Sequence, residues 1–312
     1  MSPDGKEPTA LVTGGAGFIG SHLTEELANR GIRVRVLDDL SSGTENNLAA
    51  VRGRIEFVLG DVRDPDAVSR AARGCGTVFH LAGLASVPLS REDPRLCLDV
   101  NGLGTLNVFA AAADAGASRI VYASTSAVYG DLPAPHREDM ALCPDSPYAA
   151  AKLLGEHLGL FYQEQRGIRA VCLRYFNVYG PRQTPDGPDS GVIPRFVAAA
   201  LKGERPVIFG DGSQTRDFVH VKDVVRATVS ASECPQASGA YNVATGSPVS
   251  ISELAGLMRS LKPGLVQAPA FAPERPGDPL RSWADVSRAE RDLRFSAAVP
   301  LSEGLSGLLA PG

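Results

Sequence analysis

This sequence of 312 residues has no long apolar run, a small net charge and few cysteines, and each of these features excludes a class of protein. No apolar run approaches the roughly 20 residues that a membrane-spanning helix needs. The formal net charge is only −4, so no broad field attracts nucleic acid or an anionic membrane surface. We therefore expect neither nucleic acid nor a membrane as partner, and any anionic ligand must be held by locally placed arginines.

The few cysteines are widely spaced, with no C-x-x-C and no nearby histidine pair. This pattern argues against a disulfide framework and against a zinc site, so we predict no metal. The opening MSPDGKEPTA lacks the charged, apolar and small-residue order of a signal peptide, so we expect a soluble protein of the cytoplasm. Only five of the 31 basic residues are lysines, so a lysine inside a motif stands out.

What the sequence does contain is a regular alternation of short strands and helical segments up to residue 176. The predicted strands are TALVTG, RVRVLD, IEFVLGD, TVFHLAG, RIVYAS and IRAVCLRYF. Apolar residues recur at helical spacing between them, at 18–30, 64–73, 96–115 and 148–165. Strands that alternate with helices predict right-handed crossovers and an α/β fold with a Rossmann-type, doubly wound parallel sheet.

The rhythm breaks after residue 176, where proline and glycine become frequent and the helices shorten. We assign residues 1–176, together with about 207–235, to the sheet domain. Residues 177–206 and 236–312 are assigned to a smaller C-terminal α/β lobe for the substrate. A ligand is expected above the carboxyl ends of the strands, beneath this lobe.

The stretch TGGAGFIGSHL follows the first strand and opens the first helix, and it reads as G-x-G-x-x-G or as G-x-x-G-x-x-G. The glycines are Gly14, Gly15, Gly17 and Gly20. Such a turn lets backbone N–H groups at a helix N-terminus approach a pyrophosphate. Asp38 ends the second strand about 20 residues on, where a carboxylate accepts hydrogen bonds from ribose hydroxyls. Asp38 and Asp39 would repel a 2′-phosphate, so NAD is favoured over NADP.

A second motif, SPYAAAKLLGEH, places Tyr148 and Lys152 four residues apart at the start of a helix. Residues i and i+4 share a helix face, so the ammonium is expected to lower the pKa of the phenol from about 10 and make a tyrosinate base available. Upstream, YASTSAVYG puts three hydroxyls, at 124–126, at the end of the fifth strand, where one can bridge substrate and Tyr148. The alternative is a surface helix with a chance Y-x-x-x-K.

In these motifs and their order, the sequence resembles the extended short-chain dehydrogenase/reductase family, which includes the NAD-dependent nucleotide-sugar epimerases and dehydratases. The motifs are TGGAGFIG, GDVRD, HLAG, STSAVYG, YAAAK, LRYFNVYGPRQ, GDGSQTRDFVHVKDV and RPGD. HLAG departs from the family in ending on Gly83, where alanine is usual. The resemblance implies a bound NAD that takes a hydride from C4 of a sugar nucleotide while a tyrosinate takes the 4-hydroxyl proton, which leaves a 4-keto intermediate.

The resemblance also implies roles for individual residues. Tyr148 would be base and acid, Lys152 its electrostatic partner and a cofactor contact, and Thr125 the bridging hydroxyl. The predicted cofactor-binding residues are Gly14, Gly17, Phe18, Ile19, Gly20, Asp38, Asp39, Ser42, Gly43, Asp61, Val62, Leu81, Ala82, Tyr148, Lys152 and Tyr175. The predicted substrate-binding residues are Ser86, Val87, Ser126, Asn177, Val192, Arg216, Arg275, Asp278 and Ser282, with the two arginines and Asn177 on the diphosphate and Asp278 near the uridine ribose.

Dehydratases and decarboxylases that resemble this chain carry an acid just after the bridging hydroxyl, whereas Ser126 and Ala127 stand here. We therefore hypothesise a UDP-sugar 4-epimerase, an isomerase that returns the hydride to the other face of the keto sugar. A UDP-sugar dehydratase or decarboxylase is the alternative. A non-catalytic NAD-binding regulatory protein is a remote one. The resemblance further implies a homodimer, paired through the helices at 96–115 and 148–165.

The identity of the sugar stays open. Ser282 stands where relatives limited to smaller hexoses have a tyrosine, and a small residue there leaves space for a 2-acetamido group. This suggests UDP-GlcNAc and UDP-GalNAc beside UDP-glucose and UDP-galactose. UDP-glucuronate is a further candidate, because the hydroxyls at 124–126 could hold a C6 carboxylate.

Overall fold

A computed structural model describes residues 9–185, 190–274, 277 and 279–310. The strands in chain order are β1 (Thr9–Thr13), β2 (Arg33–Asp38), β3 (Ile55–Leu59), β4 (Cys75–His80), β5 (Arg119–Thr125), β6 (Arg169–Tyr175), β7 (Asn177–Tyr179), β8 (Val207–Phe209), β9 (Thr215–Arg216), β10 (Phe218–His220), β11 (Gly239–Val243), β12 (Val249–Ser250), β13 (Ala270–Ala272) and β14 (Arg281–Ser282).

The α-helices are α1 (Phe18–Asn29), α2 (Pro65–Ala72), α3 (Val87–Glu92), α4 (Pro94–Leu98), α5 (Thr105–Asp114), α6 (Pro147–Arg166), α7 (Val192–Leu201), α8 (Val221–Glu233), α9 (Ile251–Leu261), α10 (Ser287–Leu293) and α11 (Leu301–Leu308). Two 3₁₀ segments span Glu45–Arg54 and Ser126–Tyr129. A π-helical segment, Asp99–Gly104, joins α4 to α5.

The main sheet has seven parallel strands in the order β11-β6-β5-β4-β1-β2-β3. The six predicted strands and the doubly wound parallel arrangement are confirmed. The seventh strand, β11, was not among them. Strand order reverses between β1 and β4, and such a switch point opens a crevice at the carboxyl edge of the sheet. The crevice is the expected ligand site.

Helices cover both faces of the sheet, which explains the apolar composition of its strands. Every residue of β5 is buried. Side chains of α1 and α8 pack into the apolar cluster on one face, and those of α2, α5 and α6 pack into the cluster on the other. Strands buried on both faces have near-continuous apolar sequences, as RIVYAS does.

The segment predicted as one helix at 96–115 is interrupted. Asp93 accepts a hydrogen bond from Leu96 N (2.9 Å) and starts α4, and six π-helical residues then precede α5. Within this turn the Thr105 hydroxyl donates to Asn101 O (2.6 Å). By length and composition, Pro94–Asp114 would also suffice to cross a membrane, but half of that apolar window is buried in the fold, as in a core helix. The sequence reading of apolar runs overlooked it.

A second, smaller lobe has its own apolar cluster, contributed by α7, α9, α11 and β8. Its sheets are small: β8 pairs with β13, and β9 lies between β12 and β14. Three strands fall on the other side of the predicted division. Strands β8 and β9 lie in this lobe although we assign 207–235 to the sheet domain, and β11 completes the main sheet although we assign 236–312 to the lobe. The division itself stays a prediction.

Candidate active site

The glycine turn after β1 is built by close backbone approach. Gly14 has φ +69°, and a Cβ there would stand 2.6 Å from Ala82 N. A Cβ on Gly20 would overlap Gly14 O, so helix and turn can pack only with glycine at both positions. Gly17 differs, since a Cβ there would meet nothing nearer than Gly14 O at 3.3 Å. At Gly17 the missing side chain leaves space outside the turn.

Helix α1 begins at Phe18, with Gly17 as N-cap and no side chain capping the first turn. Its first turn contains no acidic residue. The N–H groups of Phe18 and Ile19 therefore meet neither a capping side chain nor a carboxylate of their own turn, which is the arrangement that binds phosphate oxygens. The turn fits the pyrophosphate of a dinucleotide.

Asp38 is 7% exposed and joins β2 to the glycine turn. Its carboxylate accepts hydrogen bonds from Ala16 N and Leu40 N, both at 2.8 Å. Burial raises the pKa of Asp38, and the two backbone donors oppose that rise. The predicted ribose contact is compatible with this geometry, because a carboxylate has further lone pairs. That Asp38 also holds the turn was not expected from the sequence.

The neighbours of Asp38 complete this end of the crevice. Asp39 is exposed and accepts from Ser41 N and the Ser41 hydroxyl. Ser42 is exposed, and a Cβ on Gly43 would stand 2.6 Å from Ala16 C, so this loop lies directly on the glycine turn.

The residues after β3 and β4 reach the same edge. Asp61 accepts from Arg63 Nε (2.8 Å), which holds the pKa of the carboxyl below its usual value. Val62 is buried. Leu81 N donates to Thr13 O (3.1 Å), which fixes Leu81 and Ala82 beside β1.

Helix α6 carries the tyrosine and lysine. The Ser146 hydroxyl accepts from Ala149 N and Pro147 occupies the first turn, so the helix starts just before Tyr148. Lys152 is 5% exposed, and its Nζ donates to Ala123 O (3.0 Å) on β5. Burial lowers the pKa of Lys152 to about 8. The lysine is thus held against the end of the strand that precedes the hydroxyl turn.

Tyr148 is 9% exposed and belongs to a small apolar cluster with Cys97 and Ala151. Val87 and Ala127 pack against that cluster. Two segments predicted to contact the sugar, α3 and the turn after β5, therefore meet at the tyrosine.

The three predicted hydroxyls do not act together. Thr125 accepts a hydrogen bond from Ala127 N (3.2 Å), a bond that leaves its own proton to donate elsewhere. Ser126 is half-buried in the same turn. Ser124 is 3% exposed, and its hydroxyl donates to Glu156 Oε1 (2.6 Å). The prediction that all three hydroxyls could hold a carboxylate is wrong for Ser124, because its one proton already has an acceptor.

Arg216 and Ser282 are neighbours across the β9–β14 pair, and both are about nine-tenths buried. Arg216 Nη1 donates to Thr215 O (2.7 Å) and Pro279 O (2.8 Å). The pair brings the predicted diphosphate and sugar residues together on one small sheet. Arg275 and Asp278 lie outside the described residues.

The other predicted substrate residues lie at the starts of two helices and of a strand. The Ser86 hydroxyl accepts a hydrogen bond from Leu89 N (2.9 Å) and caps the N-terminus of α3. Ser86 is 1% exposed. Asn177 is exposed at the start of β7, and Val192 is half-buried at the start of α7.

Tyr175 is packed in the sheet core, and its hydroxyl shares a hydrogen bond with Thr228 Oγ1 (2.8 Å) on α8. Its contact with the cofactor stays a prediction, and it would have to be made by the ring or the backbone.

Sequence reasoning missed a buried polar chain behind the crevice. The Thr105 hydroxyl donates to Asn101 O, so it accepts from His80 Nε2 (3.0 Å), and Thr13 then donates to His80 Nδ1 (2.8 Å). His80 is thereby held neutral, and burial lowers its pKa to about 3. Asn101 in turn exchanges two hydrogen bonds with the backbone of Leu84 (both 2.9 Å). The feature that marks this chain is the π-helical interruption at Asp99–Gly104, since π-helical segments are frequent at functional sites. The sequence predicted an uninterrupted helix there and so gave no sign of it.

The chain is similar to known proteins over nearly all its length. Residues 10–244 match the NAD dependent epimerase/dehydratase family. The UDP-glucose 4-epimerase of Mycolicibacterium smegmatis is 41% identical, over 95% of this chain and 96% of the relative. The UDP-N-acetyl-alpha-D-glucosaminuronate decarboxylase of Bacillus cytotoxicus is 38% identical, over 78% of this chain and 77% of the relative. A solved UDP-N-acetylglucosamine 4-epimerase of Methanobrevibacter ruminantium, in complex with UDP-N-acetylmuramic acid, superposes with a TM-score of 0.93 at 36% identity, covering 97% of each chain.

Proposed function

The chain belongs to the NAD-dependent epimerase/dehydratase family, and we propose that within it this protein is a UDP-sugar 4-epimerase. One observation carries the proposal. The Tyr148 cluster includes Ala127 as its neighbour from the turn after β5, so the position next to the reacting tyrosine holds a methyl group rather than an acid. Elimination of water or loss of carbon dioxide calls for additional groups near C5, which Ser126 and Ala127 do not supply.

NAD, when bound, supplies a reversible hydride acceptor at the nicotinamide. The chain's own residues do the rest. The glycine turn and the uncapped start of α1 bind the pyrophosphate, and Asp38 binds the ribose. Tyr148 takes the proton of the sugar's 4-hydroxyl and later returns one, with Thr125 as the bridging hydroxyl. Lys152, held by Ala123 O, provides the positive charge beside the phenol.

Product analysis tests the proposal directly. The purified protein is mixed with UDP-glucose, UDP-GlcNAc and UDP-glucuronate in turn, and the C4 epimers are separated by chromatography while product mass is recorded. Epimerisation leaves the mass unchanged. A product lighter by water or carbon dioxide would instead establish the dehydratase or decarboxylase alternative. Protein that binds NAD but turns over none of the three sugars would point to the non-catalytic NAD-binding alternative.

Among the sugars, the site favours neutral hexoses. The Ser124 proton is committed to Glu156, which leaves Thr125 and Ser126 as the hydroxyl donors of this turn. A C6 carboxylate would lack the third donor that the sequence suggested. We therefore propose UDP-glucose and UDP-GlcNAc, with their C4 epimers, ahead of UDP-glucuronate.

Ser282 is expected to set the tolerance for a 2-acetamido group. The change Ser282→Tyr should lower kcat/KM for UDP-GlcNAc by about 10- to 100-fold relative to UDP-glucose, because it fills a pocket that discriminates by volume. Arg281→Tyr is the matched control, since Arg281 is exposed on the same strand and its side chain points to the opposite face. An unchanged ratio in Ser282→Tyr would remove Ser282 from the sugar pocket.

We further propose a homodimer formed through α5 and α6, and a cytoplasmic location. Large apolar side chains are exposed on α6 and on the continuous segment that runs from the end of α4 through the π-helical residues into α5, and Leu154 lies within van der Waals reach of a Cβ placed on Gly102. The exposed residues are Leu98, Leu103, Leu106, Leu154, Leu160 and Phe161. Their spacing places Leu103 and Leu106 on one helix face, and Leu154 and Phe161 on another.

A charge on this surface should dissociate the dimer. Leu106→Glu buries a carboxylate in the proposed interface, so sedimentation velocity should show mostly monomer where the parent is dimeric. Leu201→Glu is the control, because Leu201 is also exposed but lies on α7 in the other lobe. A parent that sediments as a monomer, or a Leu106→Glu variant that stays dimeric, would contradict the proposed interface.

A further inference from the structure

A continuous chain of five buried polar side chains runs behind the candidate active site, and the proposed mechanism uses none of them. The Ser124 hydroxyl donates to Glu156 Oε1 (2.6 Å), and Arg174 donates through Nε (2.9 Å) and Nη2 (2.7 Å) to both oxygens of Glu156. Arg174 Nη1 donates to the Tyr129 hydroxyl (2.9 Å), which itself donates to Asn242 Oδ1 (2.7 Å).

The ion pair at the centre is fully enclosed, with the Arg174 and Glu156 side chains only 4% and 8% exposed. A buried ion pair is weak evidence for a gain in stability, because desolvation offsets the attraction, and its best-attested use is to select one arrangement of the elements that carry it. Here the elements that carry the pair are β6 and α6, and the hydrogen bonds of Ser124 and Asn242 link β5 and β11 to them. The pair therefore sets how the helix with the catalytic tyrosine sits on the strands.

Helix α6 meets the catalytic turn at successive turns of one face. Tyr148, Lys152 and Glu156 stand at i, i+4 and i+8. Lys152 is bonded to Ala123 O, and Glu156 to the hydroxyl of the next residue, Ser124. Thr125 is the next residue after Ser124. Tyr148 therefore lies one helical turn from the Lys152–Ala123 hydrogen bond, and Thr125 lies one residue from the Ser124–Glu156 hydrogen bond.

The far end of the chain reaches the smaller lobe. Asn242 Nδ2 donates to His136 O (2.9 Å) and to Asp285 O (3.1 Å). Asp285 N donates back to His136 O (2.9 Å), and Asp285 comes three residues after Ser282. The same chain that holds the catalytic turn thus also holds the segment that leads from the proposed sugar pocket.

We propose that Ser124, Glu156, Arg174, Tyr129 and Asn242 form a positioning network that sets the distance from the Tyr148 oxygen to the Thr125 hydroxyl and to the sugar. The inference rests on the proposed 4-epimerase function and deepens it. None of the five touches the reacting atoms. They act through the turn at 124–129 and through α6, and misplacement by about 1 Å at such a site can lower a rate by about 100-fold.

The test uses the edges of the network, because a variant at Glu156 leaves the buried Arg174 charge unpaired and risks loss of folding. Ser124→Ala removes one neutral donor and keeps the ion pair. Tyr129→Phe removes the link from Arg174 to Asn242. Both should lower kcat by about 10- to 100-fold. Affinity for UDP, read from the fluorescence of Trp283, the only tryptophan, should stay within twofold.

Ser232→Ala is the control for removal of a serine hydroxyl outside the network, since the Ser232 hydroxyl donates to Val229 O (2.7 Å) on α8. It should keep the parent kcat. Epimerisation by the parent, with Ser124→Ala and Tyr129→Phe both within twofold of the parent kcat, would overturn the positioning network alone. A parent that turns over none of the sugars would overturn the proposed function and this inference together.

Discussion

Replacement of Tyr148 by phenylalanine should lower kcat by about 1,000-fold, because the variant loses the phenol that we propose takes and returns the 4-hydroxyl proton. The ring remains, so its packing against Cys97 and Ala151 is retained and the fold is preserved. Affinity for UDP should change by less than about threefold, since catalysis rather than binding is affected. Initial rates by coupled assay, with UDP titration in parallel, measure both quantities.

Tyr241→Phe is the control for this substitution. Tyr241 is buried on β11, and its hydroxyl accepts from Ser238 N (3.4 Å) at a distance from the crevice. This variant should retain the parent rate. Epimerisation by Tyr148→Phe at more than about a tenth of the parent rate would remove the tyrosine from proton transfer, since general acid–base catalysis contributes at least about 100-fold.

Replacement of Lys152 by methionine should abolish most activity and also change how stability depends on pH. The folded protein has a Lys152 pKa of about 8, lowered by burial from 10.5. Below pH 8 both states carry the charge, and burying it disfavours folding. Between pH 8 and 10.5 the folded state has lost the proton that the unfolded state still binds, so the free energy of unfolding rises with pH. The full rise corresponds to about 3 kcal/mol.

The comparison is made between parent and variant, so that other titrating groups cancel. The free energy of unfolding of the parent minus that of Lys152→Met should increase by about 3 kcal/mol from pH 7 to pH 10.5, as measured by urea unfolding. Lys202→Met changes an exposed lysine and should show no such increase. A difference between parent and Lys152→Met that is constant with pH would show that Lys152 is not buried as an ammonium.

Much of the sheet and the cofactor end was predictable because each signal is local. A glycine turn, the strand before it and Asp38 lie within one short stretch of chain, and their geometry follows from that stretch. Strand β11 was missed for the opposite reason. GAYNV is short and follows a proline-containing turn, and its place beside β6 depends on contacts from a distant part of the chain.

The predicted hydroxyl trio shows a second limit. Sequence places Ser124, Thr125 and Ser126 together, but in a strand successive side chains face opposite sides of the sheet. Ser124 therefore meets Glu156 on α6, whereas Thr125 does not. The acceptor lies 32 residues away, so its identity follows only from how the helix packs. The same holds for Arg174 and Tyr129, which stand in the recognised motifs LRYF and STSAVYG.

Strand β11 lies more than 60 residues after its partner β6 in the chain, and this separation affects folding during synthesis on the ribosome. Until residues 239–243 have emerged, β6 is the open edge of the nascent sheet, and it offers unpaired N–H and C=O groups flanked by Val171 and Leu173. A chain stalled after α8 has the glycine turn, Asp38, Tyr148 and Lys152, but it lacks β14 with Ser282 and has no strand to close that edge. The main sheet can therefore be completed only after residue 243 has been synthesised. We expect the nascent chain to need chaperone protection most before that point.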